Sequence, residues 1–166
     1  NLKFSKDGKK LFFGVAAVRP PKDTTLVDFE LARLDVWHYN DDYLQPQQLK
    51  QLDNELKRSY LAVTRPGEDK IVQLGAADAE RITLVDEGNA DWVLAESTKG
   101  NRTEAQLTGR VKTIAYALSK TDVKRKMILS NSLANFEVSP GGKFVYWYDP
   151  VAKNYFTYET ATGVIK

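Results

Sequence analysis

Phe4-Ser5-Lys6-Asp7-Gly8-Lys9-Lys10-Leu11-Phe12-Phe13 and Phe136-Glu137-Val138-Ser139-Pro140-Gly141-Gly142-Lys143-Phe144-Val145-Tyr146 follow one plan. In each, a short strand ends in Ser, a Gly turn follows, a Lys leaves the turn and an apolar strand returns. Ser5 to Lys9 matches Ser139 to Lys143 position for position. Asp-Gly is a hairpin dipeptide because Gly takes positive φ at little cost. A third copy lies between them. Ile82-Thr83-Leu84-Val85 is its strand, Asp86-Glu87-Gly88-Asn89-Ala90 its turn, and Asp91 to Glu96 the return.

Each copy is followed by another hairpin. Tyr60 to Val63 and Lys70 to Leu74 flank a turn at Arg65 to Asp69. Thr113 to Leu118 and Lys126 to Leu129 flank Ser119 to Arg125, and Tyr155 to Tyr158 and Val164-Ile165 flank Thr160 to Gly163. The unit is four short antiparallel strands used three times, over about 3–75, 79–130 and 133–166. Such units in tandem, usually of about 40–50 residues, are the sequence signature of propeller blades. The expected fold is therefore all-β: a partial β-propeller of about three blades with one helical insertion. An antiparallel sandwich built from the same hairpins is the alternative.

The insertion covers about 16–58. Pro20-Pro21-Lys22-Asp23 signals a loop, since Pro cannot sit in a central strand. Val27, Phe29 and Leu31 alternate with Asp28, Glu30 and Arg33, which suits an extra strand or an extended lid. Asp35 to Tyr39 reads as a strand, with Trp37 expected to be largely buried. Asn40-Asp41-Asp42 turns polar, and the spacing then becomes helical with Leu49, Leu52 and Leu56. Asp41 or Asp42 is expected to cap this helix, Pro46 to sit in its first turn, and Lys57-Arg58 to close it. Its Leu stripe is expected to pack on a blade edge.

Composition narrows the function. The 166 residues carry a net charge of +2, too small to argue for nucleic acid or an anionic membrane. No apolar run approaches the roughly 18 residues that span a bilayer. The chain has no cysteine, which removes disulfides and thiolate metal sites, and a single histidine, His38. It opens at Asn1 rather than Met and reads as a piece cut from something longer, any targeting segment lost.

Asp35-Val36-Trp37-His38-Tyr39-Asn40-Asp41-Asp42-Tyr43-Leu44-Gln45-Pro46-Gln47-Gln48, taken with the hairpin Phe4 to Leu11, resembles the propeller domain of prolyl oligopeptidase-family serine peptidases, bacterial dipeptidyl-peptidase-like members in particular. The 35–48 run is the specific part, for the blade hairpins recur in many propellers. The resemblance implies a β-propeller fold, a parent activity of peptide hydrolysis and a periplasmic location. It implies as partners an α/β-hydrolase catalytic domain and a peptide substrate. It carries no catalytic residue onto this chain. The family's nucleophile sits in a G-x-S-x-G turn on the separate hydrolase domain. Neither that run nor a βαβ rhythm occurs here.

The chain itself is thus expected to be non-catalytic, a segment that shapes or gates access to a hydrolase domain. A stand-alone β-sheet interaction module is the alternative. No catalytic, metal or cofactor residue is expected. A lone His between Trp and Tyr is more often a structural hydrogen-bonding residue than a base, because catalysis needs a constellation. Asp41-Asp42 and Asp86-Glu87 lack calcium-loop spacing. Asn101-Arg102-Thr103 matches a glycosylation acceptor, but Lys99 to Arg102 reads more plainly as an exposed loop. Tyr146-Trp147-Tyr148 with Tyr155, Phe156 and Tyr158 suit blade packing better than a binding platform. Loops carry function on rigid sheets, so residues 19–45 are the expected contact surface, with Trp37, His38, Tyr39, Asp41 and Asp42 touching substrate or partner. The open outer faces, with Leu11, Phe13, Phe144, Tyr146 and Tyr148, also suit a homo-oligomer.

Overall fold

The computed structural model describes residues 2–21, 24–25, 27, 34 and 36–166. The fold is all-β. Strands β1 (Lys3–Phe4), β2 (Leu11–Val15), β3 (Tyr60–Thr64) and β4 (Ile71–Gln73) form the first antiparallel sheet in sequence order. The second holds β5 (Arg81–Leu84), β6 (Trp92–Ser97), β7 (Thr113–Ser119) and β8 (Arg125–Ser132). The third holds β9 (Phe136–Val138), β10 (Phe144–Asp149) and β11 (Asn154–Glu159). A single bridge from Tyr158 to Ile165 stands where a fourth strand would be. These are propeller-like blades, and the described strands do not close into a barrel. Helices α1 (Gln45–Leu56) and α2 (Arg102–Thr108) lie in connections.

Strand alternation explains the layering. Along β6, Val93 and Ala95 face the first sheet and Leu94 faces the third, and all three are buried. A strand covered on both faces reads as a continuous apolar run, and Trp92-Val93-Leu94-Ala95 is one. Phe12, Val63, Leu74 and Leu118 fill the gap between the first two sheets. Phe136, Val145, Trp147 and Tyr158 fill the gap between the second and third, with Trp147 held between the rings of Phe136 and Phe156. The outcome is three stacked layers, whereas a sandwich has two.

The repeated hairpin performs the same bonding in its first and last copies. Gly8 donates to the Ser5 carbonyl and Ser5 to the Lys10 carbonyl, while Ser5 Oγ accepts the Lys10 amide. Gly142, Ser139 and Phe144 repeat all three bonds. The turns also nest from sheet to sheet. A Cβ placed on Gly88 would lie 2.8 Å from the Phe12 ring and 3.2 Å from Ser5 Cα. One placed on Gly142 would overlap Val85, the residue that stands in the second copy where Ser5 stands in the first. The turn glycines of the second and third copies therefore abut the strand end of the copy before them.

The insertion departs from its sequence reading in several places. Residues 36–38 have no regular structure and 39–40 form a turn, so the strand expected at 35–39 is absent over its described residues. Trp37 is 64% exposed, which overturns its expected burial: residues 36–40 are all exposed and none of them is in a strand. The alternating stretch 28–33, with Leu26 and Asp35, lies outside the described residues. Pro46 does occupy the first turn of α1 and Lys57 follows its end. The cap residue, however, is Leu44, with no side-chain cap, because Asp41 and Asp42 are bonded elsewhere. Leu49, Leu52 and Leu56 stay about half exposed, and no residue of α1 is buried. Outside the insertion, Lys99 to Asn101 form the expected loop, and α2 begins at Arg102. It has Asn101 before it, Glu104 in its first turn and left-handed Gly109 after it.

Gly142→Ala is expected to cost about 2–4 kcal/mol in urea unfolding, from the left-handed backbone together with the overlap on Val85. Gly8 has nearly the same φ, 71° against 68°, but open space around it. Gly8→Ala should therefore lose only the backbone part, about 1 kcal/mol. Equal losses in the two variants would show that the turns do not nest.

Candidate functional site

The polar turn at the head of α1 is built on hydrogen bonds that the short sequence interval permits. His38 N donates to Asp41 Oδ2 at 2.9 Å, and Asp41 N returns a bond to the His38 carbonyl at 2.9 Å. Asn40 N donates to His38 Nδ1 at 3.1 Å. Gln48, one turn into α1, donates to Asp41 Oδ2 and to the Tyr43 carbonyl. The His38 amide, then Gln48, hold the Asp41 carboxyl below its usual range. His38 is exposed, and its ring lies tilted against that of Tyr39 with ring centres 4.2 Å apart. Among the described residues no serine hydroxyl bonds the imidazole, and Asp41 addresses the backbone of His38 rather than its ring.

A clamp from the second sheet secures this turn. Arg102, at the start of α2, is largely buried. Its Nε donates to Thr98 Oγ1 at 3.0 Å and its Nη2 to Glu80 Oε1. Nη1 lies 3.1 Å from Asp42 Oδ2, an ion pair set off the hydrogen-bond direction, and the guanidinium covers the Tyr43 ring at 4.7 Å. Asp42 Oδ1 accepts the Gly100 amide, and Thr103 Oγ1 donates to the Asp42 carbonyl. Arg suits this position because a planar fork can serve three acceptors and a ring at once. Beside the clamp, Asp42, Tyr43, Gln48, Leu52 and Arg102 line an open groove of about 430 Å³.

Trp37, His38 and Tyr39 are thus brought together, exposed, on a turn whose base is fixed by Asp41 and Asp42. The two acidic residues are half-buried and engaged in holding that base. The Asn101-Arg102-Thr103 motif is structural: Asn101 Nδ2 donates to the Lys112 carbonyl and Asn131 Oδ1. Sequence reasoning missed Arg102, since nothing local marks a loop arginine as the partner of a carboxylate far along the chain.

It also missed a pair of buried lysines. Lys10 and Lys120 are 8% and 5% exposed, at the seam of the first two sheets. Lys120 Nζ donates to the Gly88 carbonyl at 2.7 Å and lies over the Phe12 ring at 5.1 Å. Lys10 Nζ donates to the Asn89 carbonyl and lies 3.3 Å from Asp91 Oδ1. The ammonium groups bind together the carbonyls that the Gly88 turn cannot satisfy itself. Burial, then the neighbouring Lys10 charge, push Lys120 down to about 8. Among the described residues no group of three or more His, Cys, Asp or Glu could hold a metal ion, and no helix is long and apolar enough to cross a membrane.

No family model matches the sequence, and comparison with curated proteins finds no match. Among solved structures, TolB from Acinetobacter baumannii is similar at a TM-score of 0.43 and 12% identity. That match covers 99% of this chain and 31% of TolB, so the chain spans about a third of that protein's length.

Two outcomes are expected. Arg102→Ala leaves Asp42 and Glu80 part-buried without their cation and should cost about 2–3 kcal/mol of unfolding free energy. Arg102→Lys should recover less than half of it, because a point charge cannot replace the fork. Full recovery with Lys would mean that charge alone holds the turn. Between about pH 8 and the ordinary lysine range the unfolded chain keeps a proton on Lys120 that the folded protein has released, so stability from this group rises with pH. The stability of the wild type relative to Lys120→Met should therefore increase from pH 7 to 9.5, by on the order of 1 kcal/mol. A difference flat with pH would show that Lys120 titrates normally.

Proposed function

We propose that this chain is a non-catalytic β-sheet module whose working surface is the inserted turn. One observation carries the reading: Trp37 and Tyr39, 64% and 84% exposed, are presented on a turn whose base Arg102 ties to the second sheet. Large rings held in water on a fixed support are a form that interface anchors take. Val36 and Leu34 extend the apolar patch. We read the partner as an α/β-hydrolase domain of the prolyl oligopeptidase kind, with peptide substrates admitted between the two. That finer reading is supported by the Asp35 to Gln48 run.

The test has two arms. The chain by itself should hydrolyse no proline- or alanine-containing chromogenic peptide, and turnover lost in His38→Ala would overturn the non-catalytic reading. In the protein joined to its hydrolase domain, Trp37→Ala and Tyr39→Ala should lower kcat/KM for longer peptides. They should leave the unfolding free energy within about 0.5 kcal/mol of wild type, as exposed substitutions do. A reading frame that contains no G-x-S-x-G domain would remove the peptidase partner.

A second reading, association between copies, rests on a different observation. Phe144, Tyr146, Tyr148 and Tyr155 are exposed on the outer face of the third sheet, and Phe4 is exposed on the first, where Leu11 and Phe13 are half-buried. Two copies meeting face to face, third sheet against first, would cover all of these by two-fold symmetry. Sedimentation at micromolar concentration is expected to show a dimer that Tyr148→Glu dissociates. A monomer at every concentration would end this reading.

A further inference from the structure

We propose that the seam between the first two sheets is a binding site for a compact oxyanion, a phosphate or carboxylate head group, with Lys120 as its buried ligand and Lys70 at its mouth. The pocket there is small, leaving about 50 Å³ for the centres of water-sized atoms. One water needs about 10–15 Å³ of such space, so the pocket suits a few oxygen atoms and little more. Four basic residues, Lys10, Arg65, Lys70 and Lys120, line it against two acidic ones, Glu68 and Asp91.

The acidic residues do not reach the innermost charge. Glu68 faces Arg65 at 3.6 Å, and Asp91, largely exposed, faces Lys10 at 3.3 Å. Among the described residues no carboxylate lies within ion-pair distance of Lys120. Its ammonium has three N–H groups, and one of them is spent on the Gly88 carbonyl. Lys120 is 5% exposed and lines the pocket, and among the described residues its ammonium makes no second hydrogen bond. The Lys10 charge close by makes an arriving anion more favourable still, because like charges held together in a medium of low dielectric need a counter-charge. Lys70 Nζ reaches the Thr121 carbonyl at 3.3 Å, which places a second, exposed ammonium at the pocket.

This inference concerns the sheets and is independent of the inserted turn. It is tested by calorimetric titration of the chain at pH 7 with inorganic phosphate and with acetate, against chloride at matched ionic strength. One of the two oxyanions is expected to bind saturably where chloride does not. Tighter phosphate binding assigns a phosphate head group and tighter acetate binding a carboxylate. Lys120→Met should abolish the binding, and Lys70→Gln should weaken it about three- to tenfold, the net value of one hydrogen bond at an open site. Should Lys120→Met fail to fold, Lys70→Gln decides alone. No saturable binding, or an affinity unchanged in Lys70→Gln and in any folded Lys120→Met, would show that the lysines only hold the Gly88 turn.

Discussion

The contact of Gly88 with Ser5 and Phe12, repeated by Gly142 on Val85, is the constraint on which the stack depends. A turn that lacks Cβ at its tip can approach the preceding strand end until backbone and side chain touch. Antiparallel sheets commonly leave one face wet, and that is all a meander of hairpins would achieve. Here the close approach fixes the offset of each sheet on the last. It brings Phe12 and Val63 onto Val93, Ala95 and Leu118, and it brings Leu94 and Ala115 onto Val145 and Trp147. The apolar interleaving follows from that offset.

Nesting has an electrostatic consequence. A turn pressed into a seam hides its carbonyls from water. The Gly88, Asn89 and Ala90 carbonyls are met by two lysine ammonium groups from neighbouring strands and turns. Charge is thereby drawn into a place where apolar residues would otherwise be expected, with Lys120 held over the Phe12 ring. The same chemistry that completes the turn leaves cationic donors beside a cavity.

The insertion is held differently. Its helix buries no residue, so packing is not what places it. Arg102, Gly100 and Thr103 bind the turn 41–43 through carboxylate, backbone and ring, joining a segment that leaves the first sheet to a helix on the second. With the base so fixed, the rings of Trp37 and Tyr39 are displayed at low entropic cost, since the supporting backbone is already ordered.

The three-fold hairpin plan, the insertion and the helix start at Pro46 were legible in the sequence, because turn chemistry and strand alternation act over a few residues. Trp37 shows where that legibility ends. A Trp in Val36-Trp37-His38-Tyr39 has the pattern of a buried strand, but burial needs a surface to lie against, and Trp37 is left exposed. Arg102 and Lys120 make the same point from the other side. The partners of Arg102 are Asp42 and Glu80, and those of Lys120 are Gly88 and Phe12. They are remote in sequence and meet only because the sheets are stacked. The sequence by itself determined local geometry: which residues turn, which extend, and which face of a strand is apolar. Only the tertiary structure decided which charges are buried and which rings stay in water. Burial and pairing are properties of what the stacking brings alongside a residue, and the sequence near that residue does not record them.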